Sequence, residues 1–145
     1  YCLLYLVTSY YYMQVKMIDN KLLKIASNTK FYGLKNNYTY KTNLKNSICG
    51  DKISMEISLK KNTIKGIRYE AEACIFCQAS ANVLADIVKN KDVFVLKNNL
   101  LKYLNIKKEK MPKTYKNLNF LLSKKYLSRK DCTLLPLRAF YKAVK

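Results

Sequence analysis

The chain reads as an α+β domain, a three-stranded antiparallel sheet with helices packed on one face. Three observations predict it. "DKISMEISLK" (residues 51–60) alternates Ile53, Met55, Ile57 and Leu59 with Lys52, Ser54, Glu56 and Ser58, the period of two that gives a strand one apolar and one wet face. "NTIKGIRYEA" repeats the behaviour through Ile67, Tyr69 and Ala71, with "KKN" as the hairpin connection between the two runs. After Cys74 the apolar spacing changes to that of a helix. Strands grouped in sequence and followed by helices place those helices on one face of an antiparallel sheet.

The elements follow in order. Residues 1–16, "YCLLYLVTSYYYMQVK", are apolar and rich in Tyr, but too short and too polar in the middle for a membrane span. They lack the basic start and small-residue cleavage site of a signal peptide. They are expected to be an extension upstream of a true start at Met17, with an added N-terminal helix or strand as the alternative, and residues 17–145 form the domain. Ile18, Leu22, Leu23 and Ile25 give a helical stripe over "MIDNKLLKIAS", and "TKFYGLKNN" is a connection. "YTYKTNLK" is a short strand. Ile64 is out of phase with Ile67, Tyr69 and Ala71, which predicts a bulge near Gly66. Ile75, Phe76, Ala79, Val83, Leu84, Ile87 and Val88 share one broad helical face. "DVFVLKNNLLKYLNI" is a second helix capped by Asp92, and "EKMPKTYKNL" is a break at Pro112. "LNFLLSKKYLSRKDC" and "CTLLPLRAFYKAVK" are helical, with Pro136 near the first turn of the last helix.

Composition narrows the function classes. A length of 145 residues suits one domain with a real core, and three Gly and two Pro argue against an all-β architecture. The net charge of +19 suggests a polyanion partner at first sight, yet only Arg68, Arg129 and Arg138 supply the forked donors used for phosphate and guanine. Lys is spread along the chain, and with abundant Asn, Ile and Tyr it resembles the drift of an AT-rich coding sequence. A basic nucleic-acid-binding domain is therefore the distant alternative, and no specific nucleic acid and no membrane are expected as partners.

Five cysteines, an odd number without dense spacing, argue for free thiols in a reducing, cytoplasmic setting rather than a disulfide framework. The chain has no histidine, which excludes within it a Ser–His–Asp triad, a Cys–His pair and a His-based zinc enzyme. Thiol chemistry and thiolate–metal binding remain.

Three stretches carry that chemistry. "SICGDK" enters the best strand, "EACIFC" lies where the third strand passes into a helix, and "RKDCTLL" opens the last helix. Gly50 lets the backbone turn between Cys49 and Asp51, so that thiolate and carboxylate could face one ion. Cys74 and Cys132 at helix N-termini would see N–H donors that favour thiolate. Cys49, Asp51, Cys74 and Cys132 make a four-donor set that suits zinc tetrahedrally and suits iron in a cluster. Taken singly, each cysteine reads more readily as a small buried hydrophobe than as a ligand. The CxxC of Cys74 and Cys77 lacks the βαβ context of a thioredoxin motif and the second CxxC of a zinc ribbon.

"CGDKI", the strand pair, "YEAEACIFCQASANVL" and "DCTLLPLRAFYKAV" resemble the NifU N-terminal/IscU/SufU family of iron–sulfur cluster assembly proteins, over residues 17–145. The resemblance implies an α+β fold with a three-stranded sheet and a site of three cysteines and one aspartate, matched here by Cys49, Asp51, Cys74 and Cys132. It implies a non-enzymatic scaffold that accepts sulfur from a PLP-dependent cysteine desulfurase. That scaffold binds iron or a transient two-iron two-sulfur cluster and hands it to recipient apo iron–sulfur proteins, with a homodimer around the cluster left open. Cys49 and Cys132 are then the candidate persulfide acceptors.

The departures bear on the metal. Asp131 stands where IscU-type members have His before the last cysteine. The Cys74–Cys132 stretch is longer than in IscU-type members, and Arg129 resembles the SufU pattern. Both point to the alternative, a zinc-dependent sulfurtransferase that carries persulfide. Cys77 is not a shared ligand of either type, and is expected to be a packed thiol below the site or a spare sulfur able to exchange with it.

Overall fold

The computed structural model describes residues 18–105 and 113–144. The extension at residues 1–16, the expected start at Met17 and Pro112 lie outside the described residues. The element order is α1 (Asn20–Ala26), β1 (Tyr40–Lys45), β2 (Lys52–Lys60), β3 (Thr63–Glu72), α2 (Ile75–Val88), α3 (Val93–Asn105), α4 (Lys116–Leu121) and α5 (Lys130–Ala143), with 3-10 turns at Lys113–Tyr115 and Lys124–Arg129. The sheet order is β1-β2-β3, antiparallel throughout, as the alternation predicted.

Ile53, Met55 and Ile57 of β2 and Ile67 and Tyr69 of β3 face the core. The register slips where Ser58 faces Gly66 and Leu59 faces Ile64, so Lys65 is the extra residue beside Gly66. That slip returns Ile64 to the buried face, where it is 0% exposed. The opposite face is drier than the pattern implied. Glu56 is 2% exposed, because Lys35 and Asn36 donate backbone N–H groups to Oε2 at 2.9 and 3.1 Å and Lys41 Nζ lies 3.3 Å from Oε1. The connection at residues 30–37 thus folds over the sheet. Its Tyr32 pairs parallel to Tyr69, and the Arg68 guanidinium donates to the carbonyls of Lys30, Tyr32 and Gly33.

Asp19 caps α1, accepting from the Leu22 N–H at 2.9 Å, while its other oxygen accepts from Lys125 and from the buried Tyr126 hydroxyl. The predicted stripe of this helix is narrower than expected, since Ile18 and Leu23 are exposed and Leu22 and Ile25 pack inward. Asp92 caps α3, accepting from the N–H groups of Phe94 and Val95. Almost all of α2 is buried between β3, α1 and α5, more than the one broad face expected.

Two expectations near the C-terminus need correction. Residues 118–132 are not one helix: α4 stops at Leu121, and a 3-10 segment turns Tyr126 into the core against Phe76 and Phe120. The last helix begins at Lys130, so Pro136 lies inside it and not in its first turn. Pro136 removes the N–H that would otherwise bond the carbonyl of Cys132. Among the described residues, no helix is long and apolar enough to cross a membrane.

Candidate metal centre

Residues 46–51 join β1 to β2 as a tight loop. The Asn46 side chain accepts from the Ile48 N–H at 2.9 Å, its carbonyl accepts from the Gly50 N–H at 2.9 Å, and its own N–H donates to the Asp51 carbonyl at 2.7 Å. Gly50 sits at φ +78, and a β-carbon there would meet nothing within 4 Å. The turn therefore demands the left-handed backbone, not space. It leaves Cys49 exposed and turns Asp51 inward.

The antiparallel register puts Lys52 opposite Glu72, so the end of β3 arrives beside this loop and Cys74 follows at the N-cap of α2. The Cys74 N–H donates to Asp51 Oδ1 at 3.3 Å. Asp51 Oδ2 is buried with no hydrogen-bond partner. The first turn of α5 brings Cys132 in from above, with its Sγ 3.7 Å from the Cys49 Sγ. One ligand atom each from Cys49, Asp51 and Cys132 lies within 4.8 Å of the others. Cys74 stands at the rim of this trio, half-buried, its thiol against Cys132.

The electrostatics differ from the helix-terminus expectation. Burial pushes the Cys74 thiol above its ordinary range; the N–H groups of Cys77 and Phe76 pull the other way and lose. The Cys74 thiol makes no capping hydrogen bond, so these amides act only at a distance. Cys132 is pushed up by burial first, then by Cys74, Cys49 and Asp51. Without a cation the pocket favours thiols over thiolates, because desolvation outweighs the helix N-terminus.

Cys77 is fully buried one turn below Cys74, raised by burial and by Asp51, Cys74 and Cys49. Asp131 does not join the donor group. It is exposed on α5, and its Oδ1 accepts from Arg138 Nη2 at 3.3 Å. Arg129 ends the 3-10 segment and holds the position before α5.

Residues not singled out from sequence position the candidate donors. Ser80 Oγ donates to the Thr133 carbonyl at 2.6 Å, tying α2 to the turn that carries Cys132. Beneath Cys77, the Tyr69 hydroxyl donates to Asn82 Oδ1 at 2.7 Å, and Asn82 Nδ2 donates to the Ile25 carbonyl at 3.0 Å. Burial, with Cys77 beside it, raises the Tyr69 phenol to about 12. The clue was present in "QASANVLA", where Ser80 and Asn82 interrupt an otherwise apolar helix. A separate cavity of about 530 Å³ between α2, α3 and α4 holds no cysteine.

Comparison with known proteins places this chain in a family. Residues 17–128 match the NifU-like N terminal domain. An uncharacterised protein of Borreliella burgdorferi is 32% identical over 133 residues, 92% of this chain and 83% of that protein. The iron–sulfur cluster assembly scaffold protein IscU of Thermotoga maritima is 29% identical over 70 residues, 48% of this chain and 49% of that protein. Among solved structures, a SufU protein of Fervidobacterium islandicum, assigned as a cluster assembly scaffold of the SUF system, superposes with a TM-score of 0.77 at 24% identity, covering 90% of this chain and 98% of that one. The N-terminal part of a NifU-like protein from Brucella abortus gives 0.74 at 17% identity, covering 91% and 94%. The family match ends before Cys132, so that residue enters the site through its distance to Cys49. The chain belongs to the NifU-like N-terminal domain family.

Proposed function

We propose that the chain is a non-enzymatic scaffold in iron–sulfur cluster assembly, taking sulfur from a cysteine desulfurase and iron as its cargo. The observation that carries this reading is the convergence of Cys49, Asp51 and Cys132 within 4.8 Å, with Cys74 beside them, from three distant parts of the chain. The orphaned Asp51 Oδ2 fits a cation, since a buried carboxylate oxygen without a donor is otherwise costly. Cys49 is the exposed thiol and so the one a donor's persulfide reaches first; Cys132, 3.7 Å away, is the next sulfur in line. A carboxylate holds a thiophilic cargo less tightly than a thiolate does, which suits a cargo meant to be handed to an apo protein.

Anaerobic incubation with iron, sulfide and a desulfurase tests the reading. Thiolate-to-iron absorption is expected in the wild type and lost in the combined Cys49→Ala, Cys74→Ala, Cys132→Ala chain. Absorption that survives the triple change would show the site to be misplaced.

One distance also fits a second reading. Two thiolates on a tetrahedral zinc with bonds of about 2.3 Å stand about 3.8 Å apart. The Cys49 and Cys132 sulfurs are 3.7 Å apart. Cys49, Asp51, Cys74 and Cys132 would hold one zinc ion, which when bound keeps the thiolates deprotonated. The chain would then act as a sulfurtransferase. Metal content after purification without added metal discriminates, one zinc per chain supporting this reading and bound iron with sulfide supporting the first.

A further inference from the structure

We propose that Cys74 and Cys77 form a reversible dithiol pair, with Cys74 the attacking and Cys77 the resolving thiol, and that closing the disulfide withdraws Cys74 from the metal-binding set. The withdrawal rests on the proposed function; the pair itself rests on local geometry alone.

Three features assign these roles. First, β3 ends at Glu72 and Cys74 is the N-cap of α2 in extended backbone (φ −67, ψ 164), which makes Cys77 the third residue of the helix. An N-cap side chain leans over the N–H groups of the second and third helical residues, and the Cys74 thiol does face those of Phe76 and Cys77. Residues three apart in a regular helix hold their β-carbons about 5–6 Å apart, and a disulfide needs about 3.5–4.5 Å. Closing the pair therefore takes a small backbone shift, which falls on Cys74 because that residue lies outside the helix proper in extended backbone.

Second, access is one-sided. Cys74 is half-buried, whereas Cys77 is fully buried in the core beside Tyr69. A small-molecule disulfide can therefore meet Cys74 but not Cys77. Third, Cys77 is spare: the grouped ligand atoms are those of Cys49, Asp51 and Cys132, and it is the Cys74 thiol that lies against Cys132.

The chemistry balances with a low-molecular-weight disulfide as oxidant. The Cys74 sulfur, losing its proton, attacks the oxidant's S–S bond, and one half leaves as a thiol. The Cys77 sulfur, losing its proton in turn, attacks the Cys74 Sγ of the mixed disulfide, and the second half leaves as a thiol. The protein loses two electrons and two protons, and the oxidant gains both.

The rival pair is Cys49 and Cys132, whose sulfurs already lie 3.7 Å apart. The test removes it. The full chain carrying Cys49→Ser and Cys132→Ser, stripped of metal, is equilibrated with glutathione disulfide, alkylated and mapped by mass spectrometry. The peptide holding both remaining site cysteines should lose two hydrogens, keep no glutathione and take no alkylating reagent. Adding Cys77→Ala, or Cys77→Ser should alanine fold poorly, should trap glutathione on Cys74. A lasting glutathione adduct on Cys74 with Cys77 still free, or an unreacted Cys74, overturns the pair.

A second arm follows thiolate-to-cobalt absorption of the otherwise wild-type chain, loaded with cobalt(II), under glutathione disulfide. Absorption should fall in the wild type in step with the mapped Cys74–Cys77 disulfide, and in Cys77→Ala in step with the glutathione adduct on Cys74. A wild type that keeps its absorption once the Cys74–Cys77 disulfide has formed overturns the withdrawal. A wild type that takes up no cobalt removes the proposed function and the withdrawal with it, while the first arm still decides the pair.

Discussion

Replacing Gly50 by alanine isolates the energetic demand of the turn that aims Cys49 and Asp51. The residue sits at φ +78 and its added β-carbon would meet nothing within 4 Å, so the whole penalty is conformational. An L-residue in the left-handed region costs roughly 1–2 kcal/mol. Alanine recovers about 0.4–1 kcal/mol of this by restricting the unfolded chain. A net loss of about 1 kcal/mol is expected, or about 3 °C in Tm for a chain of this size. Urea unfolding of the metal-free protein reads it as a lower midpoint with an unchanged slope. Gly50→Asn should fall between, because asparagine visits this region more readily. If the alanine chain instead relaxes the turn, stability is kept but Cys49 and Asp51 separate. Metal affinity then drops, with tenfold corresponding to about 1.4 kcal/mol. A Gly50→Ala chain that keeps stability within about 0.3 kcal/mol and also keeps its metal affinity refutes the reasoning.

Three further outcomes are expected. The Asp19 carboxyl is held well below its ordinary value of 3.8, by Lys125 first, then by the Tyr126 hydroxyl and the Leu22 N–H. A depressed folded-state value contributes stability that is present above the unfolded value and lost as pH falls through the folded one. Wild-type stability should therefore decline below about pH 4 more steeply than that of Asp19→Asn; superimposable pH profiles count against it. Ser80→Ala leaves the Thr133 carbonyl without its 2.6 Å donor in the core and should cost about 1–3 kcal/mol by denaturant unfolding. Zinc at about 1,000 times its Kd should stabilise the fold by about 4 kcal/mol, a gain that a chelator reverses and that Cys49→Ser with Cys132→Ser abolishes.

The strands were legible because alternation is local. Ile53, Met55 and Ile57 declare a buried face without reference to anything distant, and the phase slip at Ile64 announces the bulge. Asp92 was legible as a cap for the same reason. The break after α4 was not. "LNFLLSKKYLSRK" has helical composition, yet burial of Tyr126, with its hydroxyl bound to Asp19 more than 100 residues earlier in the chain, holds the segment in a 3-10 turn. The helix start at Lys130 and the interior place of Pro136 follow from that long-range contact. Glu56 looked solvated from the alternation alone; only the fold of residues 30–37 over the sheet buries it.

The candidate site divides along the same line. Residue types and motif order, "CGD", "EACIFC" and "DC", suggested Cys49, Asp51, Cys74 and Cys132 as a set of thiolate and carboxylate donors, and the structure brings ligand atoms of Cys49, Asp51 and Cys132 within 4.8 Å of one another. Their ranking needed three dimensions. Sequence could place Cys74 and Cys132 near helix starts, where N–H groups favour thiolate. It could not say how deeply each is buried, and burial sets the direction in which both thiols move. Nor could it show that Asp131 turns away to Arg138 or that Cys49 alone among the four is exposed. Ligand identity is a property of side-chain chemistry, carried residue by residue. Solvation, reach and the pairing of distant side chains are properties of how the elements pack, and only the tertiary structure decides them.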